Sequence, residues 1–176
     1  MNFTSIVRVT PAGLQPLVDI SRKTFLEKFY ADNTPENMKE YMDRVYATSQ
    51  LEKELNDPLC EFYFMFFNGA LAGYLKVNRG AAQSDIKDDS GLEVERLYID
   101  AEFQNKGLGA QLLEKAEQVA QAYELNYIWL GVWEKNPGAI RFYERKGYVR
   151  FGDHPVQVGD EMQTDFLMRK IVSIES

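Results

Sequence analysis

Only one cysteine, Cys60, and one histidine, His154, occur among the 176 residues. A lone cysteine excludes an internal disulfide. So few soft or imidazole ligands exclude a Cys-rich zinc site and a His-based cluster, and no metal is expected. A Ser-His-Asp or Cys-His catalytic system would have to recruit His154, and nothing around it favours that. His154 is expected to be structural or solvated, and Cys60, beside an aromatic run, to be a small core residue. No stretch approaches the ~20 apolar residues of a membrane span. The N-terminus lacks the apolar segment of a signal peptide, so a cytoplasmic location and no membrane partner are expected. Positive charge is also scarce, with 20 Lys and Arg against 27 Asp and Glu, a net charge of −7. That disfavours nucleic acid as a partner and is mildly compatible with a cationic substrate.

What is present is a globular composition, 45% hydrophobic and 13% aromatic, over a length that suits one domain, residues 1–176. Ser5 to Val9 reads as a strand and Ala12 to Phe29 as a helix. Thr34 caps a second helix that opens on Pro35 and Glu36 and reaches about Ala47. A third runs from Ser49 to Leu55. Glu61 to Phe67 and Ala70 to Val77 flank the hairpin turn Asn68-Gly69. Leu92 to Ile99 is a strand, and Gly107 to Glu124 a helix whose apolar stripe is Leu108, Leu112, Leu113, Ala116, Val119, Ala120 and Tyr123. Tyr127 to Trp133 is a buried-type strand, Asn136 to Lys146 a helix closed by Gly147, and Tyr148–Phe151 and Asp165–Ile171 the last strands. One α+β domain of mixed type follows, its central strand–helix–strand making part of the sheet parallel.

The segment Gln104-Asn105-Lys106-Gly107-Leu108-Gly109-Ala110 lies between a strand and a helix. Its glycines free backbone N–H groups at the positive end of a helix dipole, which suits a phosphate or pyrophosphate. A P-loop would need Gly-Lys-Ser/Thr, and Gly109 is followed by Ala110 and Gln111. A dinucleotide fingerprint would need a third glycine where Leu112 stands. Coenzyme A, whose pyrophosphate fits the same nest, remains; a helix start with helpful glycines is the bland alternative.

Gln104-x-x-Gly107-x-Gly109 resembles the Q/R-x-x-G-x-G/A loop of the GNAT acyltransferase superfamily. Downstream, Asn136-x-x-Ala139-x-x-Phe142-Tyr143-x-x-x-Gly147-Tyr148 resembles its second motif. Thr34 to Met38, Trp129 to Asn136 and Gly159-Asp160-Glu161-x-Gln163-Thr164-Asp165 look like the PaiA-like branch, associated with polyamine N-acetylation. Val156 departs from that branch, which would place an aromatic residue there. The resemblance implies a GNAT fold: a central mixed, mostly antiparallel sheet of about six to seven strands flanked by helices.

It further implies acetyl-CoA as donor and a primary amine such as spermidine or spermine as acceptor, by direct transfer in a ternary complex. Other amines, including a protein N-terminus or an aminoglycoside, and a weakly catalytic CoA-binding sensor are the alternatives. A homodimer rests on resemblance alone. By the same resemblance, the backbone of Leu97, Tyr98 and Ile99 meets the pantetheine amides, with an N–H near Leu97 on the carbonyl oxygen. Gln104, Asn105, Lys106, Gly107, Leu108, Gly109 and Ala110 hold the pyrophosphate. Asn136 and Ala139 border the cofactor arm, Tyr143 protonates the leaving thiolate, and Arg145 meets the adenosine phosphate. Lys106 reads equally as solvated, and for Arg145, as for Lys146, a solvated helix surface is the stronger reading. Glu93 and Glu95 alternate along one strand, so their carboxylates share a face, continued by Leu97 and Ile99 unless a bulge intervenes. Two like charges that close raise one pKa, and one of the pair, Glu95 ahead of Glu93, is the candidate to accept the proton through water or to bind the cationic amine. Phe29, Tyr30, Glu36 and Tyr41, with Asp32 and Glu40, offer aromatic faces and carboxylates to the acceptor.

Overall fold

The computed structural model describes residues 1–158 and 160–172; Gly159, part of the third PaiA-like segment, lies outside the described residues. Seven strands form one sheet in the order β1-β2-β3-β4-β5-β7-β6. In chain order the elements are β1 (Thr4–Arg8), α1 (Leu14–Phe29), α2 (Pro35–Val45), α3 (Thr48–Leu55), β2 (Cys60–Phe67) and β3 (Ala70–Arg79). Then come β4 (Gly91–Ile99), α4 (Leu108–Ala122), β5 (Tyr127–Trp133), α5 (Pro137–Arg145), β6 (Val149–Val158) and β7 (Glu161–Ile171). β4 and β5 are parallel, joined through α4, and every other pairing is antiparallel. This is the mixed, mostly antiparallel GNAT-type sheet, flanked by helices.

Local chemistry sets the helix starts. Thr34 accepts the Asn37 N–H at 3.1 Å, and Pro35 fills the first turn of α2, where its missing N–H costs nothing. Asn136 does the same for α5, accepting the Ala139 N–H. The stripe of α4 from Leu108 to Ala120 is buried against Leu75, Val77, Leu92, Val94 and Ile128 on one sheet face. Tyr123 departs from that stripe: its ring is exposed and its hydroxyl reaches back to Glu61. On the opposite face α1, α2 and α3 pack Leu17, Phe25, Met38 and Leu51 against Phe62, Phe64 and Tyr74. Cys60 joins this core as a free thiol pushed up to about 11, first by burial.

Two departures from the sequence pattern shape the middle and the end of the sheet. Lys76 pairs with Arg96 and Val77 with Val94, so Glu95 is an extra residue without a cross-strand partner, a β-bulge. The bulge switches the faces: Leu92 and Val94 before it, and Leu97 and Ile99 after it, all meet the α4 side. Leu97 and Ile99 therefore do not continue the face of Glu93 and Glu95. The second departure is β6–β7, which is one long hairpin where two short strands were expected. β6 is the edge strand, so Pro155 removes no ladder hydrogen bond on its outer side and does not end it.

Candidate active site

The β4–β5 pairing ends at Val94–Leu130, whereas β5 stays paired to β7 as far as Trp133. Beyond that point β4 and β5 splay, and the facing edges of Leu97–Ile99 and Gly131–Trp133 have no ladder between them. A cleft of about 620 Å³ opens on the α4 side of this gap. Its walls include Leu97, Tyr98, Ile99, Gln104, Asn105, Gly107, Leu108, Gly109, Ala110, Asn136, Ala139 and Tyr143. At its end, Asn105 (φ 63°) and Gly107 (φ 75°) both take the left-handed conformation. Gly107 caps α4 without a side-chain acceptor, and the first turn holds no acidic residue. The first-turn N–H groups therefore face the cleft unopposed, the arrangement that receives a phosphate oxygen.

A second cavity of about 400 Å³ lies on the α1–α3 side, lined by Phe25, Phe29 and Tyr41 from the helices. Glu93 and Glu95 of β4 and His154 and Asp165 of the β6–β7 hairpin complete it. Lys28, Tyr98, Ala139 and Tyr143 border both spaces. Tyr143 arrives there because α5 starts beside the gap and stops at Gly147 (φ 96°). Its ring is held between Phe142 (5.2 Å) and Tyr148 (5.9 Å). Burial pushes its hydroxyl up to about 12, so it carries a proton at neutral pH.

The pattern of the Acetyltransferase (GNAT) family matches residues 23–148. The chain belongs to the GNAT acetyltransferase family. It is similar to an uncharacterized N-acetyltransferase in the pepI 3' region of Lactobacillus delbrueckii subsp. lactis, 41% identical over 97% of this chain and 98% of that one. It is also similar to the spermine/spermidine N(1)-acetyltransferase of Bacillus subtilis, 26% identical over 80% of this chain and 90% of the relative. In fold it resembles the PaiA N-acetyltransferase of Thermoplasma acidophilum, solved in complex with coenzyme A. The TM-score is 0.78 at 19% identity, covering 96% of this chain and 99% of that one. The protein is an acetyl-CoA-dependent N-acetyltransferase. The uncapped α4 N-terminus, the left-handed Asn105 and Gly107, and the unpaired β4 edge fit a pyrophosphate followed by an amide-bearing arm.

The acetyltransferase's two glutamates share a face, and Asn78 donates to both, at 2.9 Å to Glu93 and 2.8 Å to Glu95. They titrate in opposite directions. Burial, then the charge of Glu95, raises Glu93 above the usual carboxylate range, and hydrogen bonds from Ser84 and Asn78 only partly offset this. For Glu95 burial again favours the neutral form. Arg96 (2.9 Å) and Lys76 (3.0 Å) outweigh it and hold Glu95 at about 2. Glu54 of α3 pairs with the same two cations, at 2.8 Å from Lys76 and 3.2 Å from Arg96. Glu95 is thus a fixed negative charge within a four-residue cluster.

Several expected residues stand elsewhere. Lys106 is exposed, with its ammonium 5.3 Å over the Phe67 ring, and Arg145 is an exposed residue of α5; neither borders the first cleft. Tyr30 is 73% exposed and Glu36 is exposed, and neither borders the second cavity, because the end of α1 and the start of α2 turn outward. Asp32 lines a separate groove beside Glu161 and Gln163, and Glu40 pairs with Arg44. Lys28, Arg96 and Asp165 were not singled out in the sequence as site residues. Asp165 carried a signal as the last residue of the third PaiA-like segment; Lys28 and Arg96 carried none. His154, expected to be structural or solvated, lines the second cavity with Nδ1 2.6 Å from Asp85, facing Asp165 across the hairpin.

Gly107→Val tests the donor loop. A β-branched residue at φ 75° is strained by about 1–2 kcal/mol, which the loop relieves by leaving the left-handed region and turning its N–H groups away. The expected result is a roughly tenfold rise in the Kd of CoA by calorimetry. An unchanged Kd removes this loop from the cofactor site.

Proposed function

We propose that the acceptor is a primary alkylamine that arrives as a cation, with polyamines such as spermidine or spermine as the leading candidates. The observation that carries this reading is the second cavity, where aromatic faces stand beside Glu93, Glu95 and Asp165 at the junction with the donor cleft. Aromatic rings and carboxylates are the groups that hold alkylammonium. The B. subtilis relative named for spermine and spermidine supports the same class at 26% identity. One domain spans the chain in this reading, because β1 and the β6–β7 hairpin, outside the family match, belong to the same sheet.

Bound acetyl-CoA supplies an acetyl group activated as a thioester. Leu97, Tyr98 and Ile99 offer their backbone edge to its arm, the Gln104–Ala110 loop takes its pyrophosphate, and Asn136 and Ala139 wall its path. Tyr143 donates its hydroxyl proton to the departing sulfur. Glu95 stays ionised and attracts the ammonium. Glu93 accepts the proton that leaves it, directly or through water, because its raised pKa makes it the stronger base. Of the two roles expected of Glu95 from the resemblance, it keeps the binding of the amine, and Glu93 takes the proton. Transfer is direct: Cys60, the only thiol, borders neither cavity and is held protonated by burial.

Thiol release across spermidine, spermine, an aminoglycoside and a peptide N-terminus tests the class. Spermidine or spermine is expected to give the highest kcat/KM. A higher value for either other amine overturns the polyamine assignment, and tight CoA binding without turnover leaves a sensor. The pH profile tests the base. Below the raised pKa of Glu93 the base is protonated, so kcat/KM has an acid limb above the usual carboxylate range. In Glu93→Gln that limb disappears and kcat falls about 10²-fold or more. Glu95→Gln mainly raises KM for the amine. Retention of the limb in Glu93→Gln removes its role as base.

A further inference from the structure

Among the described residues, Lys28 is the one cation that borders both the donor cleft and the acceptor cavity. It sits in the last turn of α1, one turn beyond Thr24, which lines the donor side, and Phe25, which lines the acceptor side. Its ammonium lies 5.0 Å over the Tyr98 ring and 5.7 Å over Phe29. Among the described residues no carboxylate lies within ion-pair distance of it, whereas Lys23, Lys39, Lys76 and Lys170 are all paired. Lys28 is exposed as a residue; the cavity walls around its ammonium lower its pKa, opposed by the charge of Asp165. A lysine side chain is also a primary amine on a four-carbon chain, the same group as the aminobutyl end of a polyamine. The fold therefore holds one covalently attached example of the acceptor class where acetyl transfer takes place.

We propose that this acetyltransferase acetylates its own Lys28 when no amine occupies the acceptor cavity. The neutral Nζ bonds to the thioester carbonyl carbon, and the carbon–sulfur bond breaks. The sulfur takes its proton from Tyr143, the nitrogen loses one to Asp165 or water, and Tyr143 is reprotonated from solvent. Lysine ammonium and acetyl-CoA thus become acetyl-lysine, the free thiol and one proton. The amide formed is too stable to pass the acetyl group on. It removes the positive charge and fills the opening between the cavities, so the modified enzyme is closed to further transfer. The inference rests on the reading of the two spaces as donor and acceptor sides.

The test is to incubate the full chain with acetyl-CoA without amine and follow each lysine by peptide mass spectrometry. Lys28 is expected to gain one acetyl group with release of about one thiol per chain. The rate should be independent of protein concentration, suppressed by spermidine, and slowed in Tyr143→Phe. Modification of Lys106 or Lys135, exposed like Lys28 but away from both spaces, at the same rate as Lys28 overturns it, as does a rate that rises with protein concentration. Turnover of spermidine with Lys28 unmodified overturns this inference and leaves the acceptor reading intact. Acetylation of Lys28 with no amine turned over supports it and removes the acceptor reading instead.

Discussion

Tyr143→Phe lowers kcat about 10²–10⁴-fold and leaves CoA binding within twofold of the unaltered enzyme. The first figure is the usual worth of a positioned general acid. The hydroxyl is pushed up to about 12 by burial, so it is protonated throughout the working pH range and available to a thiolate formed beside it. The substitution removes only that proton donor. The ring keeps its contacts with Phe142 and Tyr148, and no described side chain loses a hydrogen bond, so stability should be unchanged. Single-turnover thiol release measures the chemical step and calorimetry the binding. The deficit should shrink with acyl donors whose thiols are more acidic, since a better leaving group needs less help. A single-turnover rate within twofold of the unaltered enzyme removes Tyr143 as the acid.

Arg96→Met destabilises the fold by about 3–5 kcal/mol, the usual cost of taking one partner from a buried ionic group. Arg96 is 6% exposed, bridges Glu95 and Glu54, and lies 5.0 Å over the Tyr46 ring. Methionine matches its stem but leaves two carboxylates sharing Lys76 alone. The loss depends on pH in a defined direction. The folded pKa of Glu95, about 2, lies below its ordinary value of 4.5. Its contribution, about 3 kcal/mol, is present in full above pH 4.5 and is lost as pH falls from there toward 2. Arg96→Met raises the folded pKa of Glu95, so the midpoint of acid unfolding moves to higher pH, read by circular dichroism. Urea unfolding at pH 7 measures the stability loss. Adding Glu54→Gln to Arg96→Met removes one unpaired charge and should restore part of it. Equal stability of Arg96→Met and the unaltered chain would show that the cluster contributes nothing net.

The donor side was legible because it is local. Seven consecutive residues carry the glycine and asparagine that tolerate positive φ. Asn136, Pro137 and Gly147 mark the start and stop of α5, which fixes where Tyr143 points. The alternation of Glu93 and Glu95 placed both on one face, as found. The bulge shows in the sequence only as a change of phase, from Leu92 and Val94 to Leu97 and Ile99; strict alternation carried Leu97 and Ile99 onto the face of the glutamates, whereas the extra residue keeps all four apolar side chains on the α4 side. The length of the β6–β7 hairpin was hidden by Gly152 and Pro155, which an interior strand would not tolerate but an edge strand does.

By itself, then, the sequence determined the fold class, the glycine loop at the start of α4 and the helix that presents Tyr143, all set by short-range backbone preferences and capping. Only the tertiary structure decided what lines the second cavity. There Lys28 comes from α1, Glu93 and Glu95 from β4, and His154 and Asp165 from a hairpin more than fifty residues further on. Whether a carboxylate among them is a base or a fixed charge depends on which cations the folded chain brings within about 3 Å of it. That distance is a property of packing, and no spacing along the chain encodes it.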